Sequence, residues 1–580
     1  MTETIETLTS TSSESAGVPM RDGVVLAATV YRRSSGEPRP VLLVRTPYNE
    51  QMSRTLPVAP ALEAGFAVVV QNCRGTARSE GELWAFENET QDGLDTIEWL
   101  LGQPWSNGQV CMFGPSYLGM SQLAVSGHRP KGLAAIVPIV ATHHYRDGLV
   151  FNQGALQLGQ ALGWHTLKTA QTLGERATRG EDVGSQLGAF FAMTRDMESS
   201  YRTLPLTALS AISDVLPSWT KWLEQETEPD YWKRISYADR RTRTEVPALH
   251  VGGWFDLFLR GTLDNFTTIS QGAESAEARA NQHLIIGPWT HADYTGAAGE
   301  LFFGAGSALA VRLEEQQLRF LRESVDGTPT TLPTVQIFVM GANVWRVENE
   351  WPLARTDWQK WYLQPGGGLS PQEPAPGADD DDRWLGFTHD PHHPVPTVGG
   401  GTLIQGGPDG GAGYMPGPRD QRGLDARTDI LRFTGPVLEQ DMEVTGPLRV
   451  TLHAATSARD TDFTAKLIDV WPDGRALGVA DGIVRARYRH GMDEPAPVEP
   501  GQVYEYTIDL AATSQVFKKG HRLRVDIASS NFPCYDRNSG SGKPAGDVTA
   551  EDFTTAEQQI FCSAAHPSYI HLPVIPSKEK

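Results

Sequence analysis

Val110-Cys111-Met112-Phe113-Gly114-Pro115-Ser116-Tyr117-Leu118-Gly119 runs an apolar β-type segment into a glycine and a serine, and the helix-compatible run Ser121-Gln122-Leu123-Ala124-Val125 follows. A serine at a sharp strand-to-helix turn sits in a strained backbone conformation, with its hydroxyl pushed out above the sheet. Small neighbours such as Gly114 and Gly119 let the turn close. That geometry makes a nucleophile when a base is near. The usual five-residue pattern would put glycine at position 118, where Leu118 stands, one residue before Gly119. Read alone, the segment also fits a glycine-flanked strand end with an ordinary capping serine.

Outward from this turn, short apolar runs alternate with helix-like ones. Val41-Leu42-Leu43-Val44-Arg45, Ala67-Val68-Val69-Val70, Val110 to Phe113 and Ala134 to Val140 read as strands. Gly93 to Leu101 reads as a helix, with Leu94, Ile97, Leu100 and Leu101 on one face. Continuous apolar strands separated by helices predict an α/β fold with a parallel sheet buried on both faces. Leu249-His250-Val251-Gly252-Gly253 and His283-Leu284-Ile285-Ile286-Gly287 continue that sheet. Between Val140 and Leu249, from about His143 to Arg241, amphipathic helical spacings dominate. A helical insertion there would cover the carboxyl edge of the strands, where open α/β sheets bind ligands. From about Asp357 the chain becomes rich in Gly and Pro. Alternating strands follow at Leu448–Leu452, Asp462–Leu467, Val503–Ile508 and Arg522–Ile527. This predicts an antiparallel sandwich. The expected division is a disordered tail over 1–17, a catalytic domain over 18–142 and 242–356, a helical cap over 143–241, and a β-sandwich over 357–580.

The 580 residues carry 50 Lys plus Arg against 70 Asp plus Glu, a formal charge of −20. With no basic stripe to offset it, such a surface argues against nucleic-acid and anionic-membrane partners. No apolar run approaches the ~20 residues of a membrane span. Met1 to Gly17 lacks the basic start and apolar centre of a secretory signal. The four cysteines, Cys73, Cys111, Cys534 and Cys562, have no metal-type spacing and are too sparse for a disulfide framework. They read as buried or partly buried thiols in a reducing cytoplasm. Asp379-Asp380-Asp381-Asp382 reads as a solvated loop, lacking the spaced ligands of a calcium site.

A serine hydroxyl needs a base within hydrogen-bond reach, and the base needs an orienting carboxylate. Sheet hydrolases supply these from later strand ends, in the order Ser, Asp, His. Asp256 follows one strand in Gly252-Gly253-Trp254-Phe255-Asp256. His291 follows the next in Gly287-Pro288-Trp289-Thr290-His291. Alone, Asp256 could cap the following helix and His291 could be a surface histidine; their joint occurrence with Ser116 in this order marks a candidate triad. The amide of Tyr117 follows the nucleophile and is one oxyanion donor. The loop Arg45-Thr46-Pro47-Tyr48-Asn49 has no glycine cradle, so the Tyr48 hydroxyl is the candidate for the second. No metal or organic cofactor is required by this chemistry.

These blocks, together with Asn72-Cys73-Arg74-Gly75 and Ser79-Glu80-Gly81, resemble the X-Pro dipeptidyl-peptidase-like acyl hydrolases, the family that includes the bacterial cocaine esterases. Asp460-Thr461-Asp462-Phe463-Thr464-Ala465-Lys466-Leu467, Asp481-Gly482-Ile483-Val484-Arg485, Ser529-Ser530-Asn531-Phe532-Pro533 and Tyr535-Asp536-Arg537-Asn538 extend the resemblance into the second half. In that family the later glycine is the normal elbow. The resemblance implies an α/β-hydrolase domain, an inserted helical cap domain and a C-terminal β jelly-roll domain. It implies Ser116, His291 and Asp256 as triad, and Tyr48 with the Tyr117 amide as oxyanion hole. It implies an acyl pocket using Trp164, Phe258, Leu257, Leu403 and Ile404, although Ile404 stands where an aromatic is expected and Leu257 where a glycine is. Plain core packing is the alternative for Trp164 and Phe258. The expected activity is a serine carboxylesterase acting on small-molecule esters with a neutral, aromatic acyl group. X-Pro dipeptidyl aminopeptidase or α-amino ester hydrolase activity is the alternative, for which Glu50 or acidic residues of the insertion would have to hold an ammonium. A non-catalytic carbohydrate-binding protein on the same scaffold is the rival from a different class. A homodimer is the assembly left open.

Overall fold

Strands buried on both faces need no alternation of apolar and polar residues, and the centre of the main sheet is built from such strands. The computed structural model of the chain describes residues 11–34, 36–49, 56–376, 383–404 and 414–576. Its ten-stranded sheet comprises β1 (Thr11–Pro19), β2 (Val25–Arg33), β3 (Arg39–Thr46), β4 (Ala67–Asn72), β5 (Ser106–Pro115), β6 (Leu133–Ile139), β7 (Ala248–Phe255), β8 (Gln282–Thr290), β9 (Val335–Val339) and β10 (Val344–Glu348). The spatial order is β1-β2-β4-β3-β5-β6-β7-β8-β9-β10. From β4 to β9 neighbours are parallel. The pairs β1–β2, β2–β4 and β9–β10 are antiparallel. The sheet is therefore mixed, with antiparallel strands at both ends rather than parallel throughout. Every residue of β4, β7 and β8 is buried, which is why these segments read as unbroken apolar runs.

The expected tail over 1–17 is corrected in its second part. Residues 11–17 belong to β1, held by backbone pairing from Thr11↔Arg33 to Pro19↔Val25. The Asp379–Asp382 run and Glu50 lie outside the described residues.

Helices α1 (Glu89–Leu101) and α2 (Tyr117–Ser126) pack against each other and against β5. Between β6 and β7 the chain makes a two-residue hairpin (Phe151–Asn152 with Ala155–Leu156), then α3 (Leu158–Thr178), α4 (Gly184–Thr194), short helical turns and α5 (Ser218–Glu224). Helix α6 (Leu259–Gly272) follows β7. No helix among the described residues is long and apolar enough to cross a membrane.

The second half is all-β. One antiparallel sheet contains β11 (Asp357–Leu363), β12 (Trp384–His389), β14 (Met442–Thr456), β17 (Tyr504–Phe517), β19 (Ala556–Phe561) and β20 (Tyr569–Ile575). The other runs β13 (Leu431–Thr434), β18 (Arg522–Ala528), β15 (Asp462–Val470), β16 (Ala476–Arg485). Val450, Leu452 and Ile508 of the first sheet share one apolar cluster with Phe463, Leu467, Leu523 and Val525 of the second. Backbone hydrogen bonds carry β9 into β17: Met340 N donates to Ser514 O at 2.9 Å and Val516 N donates to Met340 O at 2.8 Å. The two halves are thus joined by a short ladder as well as by side chains.

Candidate active site

Ser116 is the N-cap of α2 and has φ 58° and ψ −124°, a region that a non-glycine residue enters only when its surroundings force it. The sequence explains how the turn closes. Gly114 has φ 143°, and a Cβ there would lie 2.6 Å from Leu118 Cβ, so Leu118 occupies the space that a side chain at 114 would fill. A Cβ on Gly119 would lie 2.8 Å from Ala141 Cβ and 3.2 Å from Ile139 O. The glycine that lets the helix approach the sheet is therefore needed at 119, not 118. Cys111, one of the thiols expected in the core, is fully buried in β5.

The structure brings the three candidate residues together from the ends of β5, β7 and β8. His291 Nε2 lies 3.0 Å from Ser116 Oγ. His291 Nδ1 lies 2.7 Å from Asp256 Oδ1. Asp256 is buried, and it does not cap α6, whose N-cap is Phe258 without a side-chain hydrogen bond. The arrangement lets the imidazole accept a proton from the serine on one nitrogen while the carboxylate fixes the other.

Tyr48 and Tyr117 flank this serine in different ways. The Tyr117 hydroxyl donates to Glu89 Oε1 at 3.0 Å and accepts from Phe86 N at 3.1 Å. Its side chain is thus committed, which leaves the first-turn amide of α2, without an acceptor within the helix, as the donor this residue can offer. Glu89 in turn is neutralised by Arg45 Nη1 at 2.8 Å. The Tyr48 hydroxyl accepts from Trp164 Nε1 at 3.2 Å, which leaves its own proton free to donate elsewhere. Burial pushes the Tyr48 phenol up to about 12, opposed in part by the Trp164 hydrogen bond, so it stays protonated and a donor at neutral and mildly alkaline pH.

Aromatic rings pack on His291 and on Tyr117. Phe258 packs edge-on against the His291 ring at 5.3 Å and is buried. Trp164, half-buried on α3, lies parallel to Tyr117 at 6.1 Å and stacks on Trp222 of α5 at 6.0 Å. Leu257 is half-buried against the main apolar cluster. Ile404 also packs there, and a Cβ on Gly159 of α3 would lie 2.5 Å from Ile404 Cγ1, so the second half of the chain touches the insertion at this point. Leu403 is half-buried beside it.

Sequence reasoning passed over Lys168. This lysine is fully buried. Its ammonium donates to Pro47 O and to Gln171 Oε1 and lies 5.8 Å from the centre of the Tyr48 ring. A signal existed: from Leu158 to Gly174 it is the only Lys, Arg, Asp or Glu, four residues after Trp164 and therefore on the same helix face. The C-terminal motifs prove to be mainly structural. Arg485 bonds Asp462 at 2.8 Å and Asp536 at 2.8 Å, all three buried, and Asp536 Oδ1 accepts from Leu156 N at 2.9 Å just before α3. Arg487 pairs with Asp460 and, at 2.6 Å, with Glu226 of the insertion.

The comparisons with known proteins agree with this layout. Residues 22–293 match the X-Pro dipeptidyl-peptidase (S15 family) profile, and residues 327–571 match the X-Pro dipeptidyl-peptidase C-terminal non-catalytic domain. The chain is 36% identical over 579 residues to a cocaine esterase of Rhodococcus sp. (strain MB1 Bresler), covering 96% of this chain and 97% of that protein. It is similar to a putative serine esterase of Mycobacterium bovis, 25% identical, covering 96% and 94%. Among solved structures it is similar to an aminopeptidase from a marine sediment archaeon (TM-score 0.81, 25% identity, covering 98% and 97%). An α-amino acid ester hydrolase gives TM-score 0.78 and 26% identity, covering 97% of each chain. The strained Ser116 turn, the His291 and Asp256 contacts and these likenesses have one reading: the chain belongs to the X-Pro dipeptidyl-peptidase (S15) family of hydrolases.

Proposed function

We propose that the protein is a serine carboxylesterase that hydrolyses esters with a neutral, aromatic acyl group through an acyl-enzyme on Ser116. The observation that carries the reading is the pair of contacts of His291, 3.0 Å to Ser116 Oγ and 2.7 Å to Asp256 Oδ1, beneath the strained turn. His291 Nε2 takes the Ser116 proton as Oγ attacks the ester carbonyl. Asp256 holds the imidazole in the tautomer that leaves Nε2 free and stabilises the imidazolium. Tyr48 Oη and the Tyr117 amide donate to the oxygen that becomes negative. His291 then returns the proton to the departing alcohol, and water, deprotonated by the same nitrogen, releases the acid.

An aromatic acyl group is supported by the ring of Phe258 against His291 and that of Trp164 against Tyr117 and the Tyr48 hydroxyl, and by the committed state of Glu89, which Arg45 and Tyr117 already satisfy. The relative named cocaine esterase fits the same preference. Ile404 and Leu257 would shape the pocket differently from the family pattern. The second half is read as a jelly roll acting as a scaffold, and the site of action as the cytoplasm. A second reading, hydrolysis of α-amino esters or X-Pro peptides, is favoured by the likeness to the α-amino acid ester hydrolase. A turnover panel of phenyl benzoate, a short alkyl ester, an α-amino ester and an X-Pro anilide separates them. Highest kcat/KM on phenyl benzoate is expected; a strong preference for the X-Pro anilide would overturn the choice. Glycan binding without turnover of any of the four would favour a non-catalytic role.

A further inference from the structure

Helix α3 grips the Tyr48 loop at two points one turn apart. Trp164 Nε1 donates to the tyrosine hydroxyl at 3.2 Å. Four residues on, Lys168 reaches over the ring to Pro47 O, the carbonyl that immediately precedes Tyr48. A fully buried ammonium is costly, and proteins keep one only where hydrogen bonds and charge compensate it. Here the compensation is Pro47 O, Gln171 Oε1 at 3.1 Å and the face of the Tyr48 ring. We propose that Lys168 is a positioning residue, whose ammonium fixes the Pro47–Tyr48 turn so that the tyrosine hydroxyl meets the oxyanion formed on Ser116 chemistry, and that turnover follows its protonation. The inference rests on the esterase reading of Ser116 and Tyr48 above.

Among the described residues, the titratable groups facing Lys168 are few. On its own helix Glu175 raises its affinity for a proton, and Cys73, just past β4, would do the same only as a thiolate. Burial, the largest influence, prevails and brings the amine down to about 8. Cys73 is itself buried and pushed well above the usual thiol range, by burial first and then by Glu89, so it stays neutral. Tyr48 is pushed up to about 12 and does not titrate in the same window. The sign follows from these directions. Below about pH 8 Lys168 carries three donors and a charge, and the charge-assisted bond to Pro47 O is at full strength. Above it the neutral amine loses the charge and the attraction to the ring, and the loop loosens. Misplacing an oxyanion donor by ~1 Å costs up to roughly 100-fold in rate.

The test is the pH dependence of kcat for an aryl ester in the unmutated enzyme, in Lys168→Met and in Lys168→Arg. In the unmutated enzyme kcat is expected to fall on the alkaline side with an apparent pKa near 8. Lys168→Met is expected to lower kcat roughly 10- to 100-fold with KM little changed, and to lack that limb. Lys168→Arg, charged at every accessible pH, is expected to recover much of kcat and also to lack it. A flat kcat up to pH ~10 in the unmutated enzyme would overturn the proposal even if neither variant folds. Unmutated kcat in a folded Lys168→Met would overturn it as well. Failure of the esterase reading looks different: Ser116→Ala would then retain turnover, whereas failure of this inference alone leaves Ser116→Ala inactive.

Discussion

Tyr48 differs from Tyr117 in what its hydroxyl is free to do, and that difference makes a prediction at the residue scale. The Tyr117 hydroxyl has both a donor and an acceptor partner; among the described residues the Tyr48 hydroxyl has only the Trp164 N–H, from which it accepts. Tyr48→Phe is therefore expected to lower kcat by about 10²- to 10³-fold, ~3 kcal/mol of transition-state stabilisation, with KM almost unchanged. Steady-state kinetics with an aryl ester checks it, and an equal rise in KM would assign Tyr48 to substrate binding instead. Asp256 is buried against His291. Asp256→Asn keeps the shape but favours the wrong imidazole tautomer, and is expected to cost about 10⁴ in kcat at neutral pH. The meeting of Ser116, Asp256 and His291 was legible because each follows the end of an apolar strand in a fixed order. The burial of Glu89 was not, because a charged residue in the first turn of a helix reads as solvent-facing until the packing is known; for Lys168 the isolated charge on the Trp164 face was the one sign.

In the main sheet, elements were readable where burial is two-sided and hidden where it is not. β4, β7 and β8 are buried at every position, and their apolar runs announced them. β2 alternates buried Leu26, Ala28 and Val30 with half-exposed neighbours. β1, Thr11-Ser12-Ser13-Glu14-Ser15-Ala16-Gly17-Val18-Pro19, is a polar edge strand held by its backbone to β2. Composition made it look like a tail, since ladder hydrogen bonds leave no trace in side-chain type. The elbow gives the test at this scale. Gly119 has ordinary helical φ, so only its neighbours object to a Cβ, at 2.8 Å from Ala141 and 3.1 Å from Gly114 O. Gly119→Ala is expected to destabilise by about 1–3 kcal/mol through overpacking and to lower kcat by pushing α2, and with it the Tyr117 amide, off the sheet. Urea midpoint and kcat together check this; an unchanged midpoint would show that α2 can yield at no cost.

At the scale of the whole molecule, the buried acidic and basic residues of the second half act as clamps between parts of the chain. Arg485 joins Asp462 and Asp536, and Asp536 holds the start of α3 through Leu156 N. Since α3 carries Trp164 and Lys168, the β half reaches the Tyr48 loop through this cluster. Arg485→Met leaves two buried carboxylates without their counter-charge and is expected to cost about 3–5 kcal/mol. Burial already holds the Asp536 carboxyl above its ordinary range, with Arg485 the main opposing influence. A raised carboxyl favours folding below its unfolded pKa and loses that contribution as pH climbs through the folded value. Without Arg485 the cost should thus be larger at pH 8 than at pH 5. Thermal unfolding of the variant at the two pH values checks it, and an equal loss at both would mean that charge is not the cause.

Ser116 as the nucleophile that His291 activates is the claim on which the mechanism stands. Its most direct test is stoichiometric reaction of the unmutated protein with a fluorophosphonate, followed by peptide mapping. One adduct per chain is expected, on Ser116, with esterase activity lost in proportion to labelling. An adduct on another residue, or undiminished ester turnover in protein fully labelled at Ser116, would contradict the account.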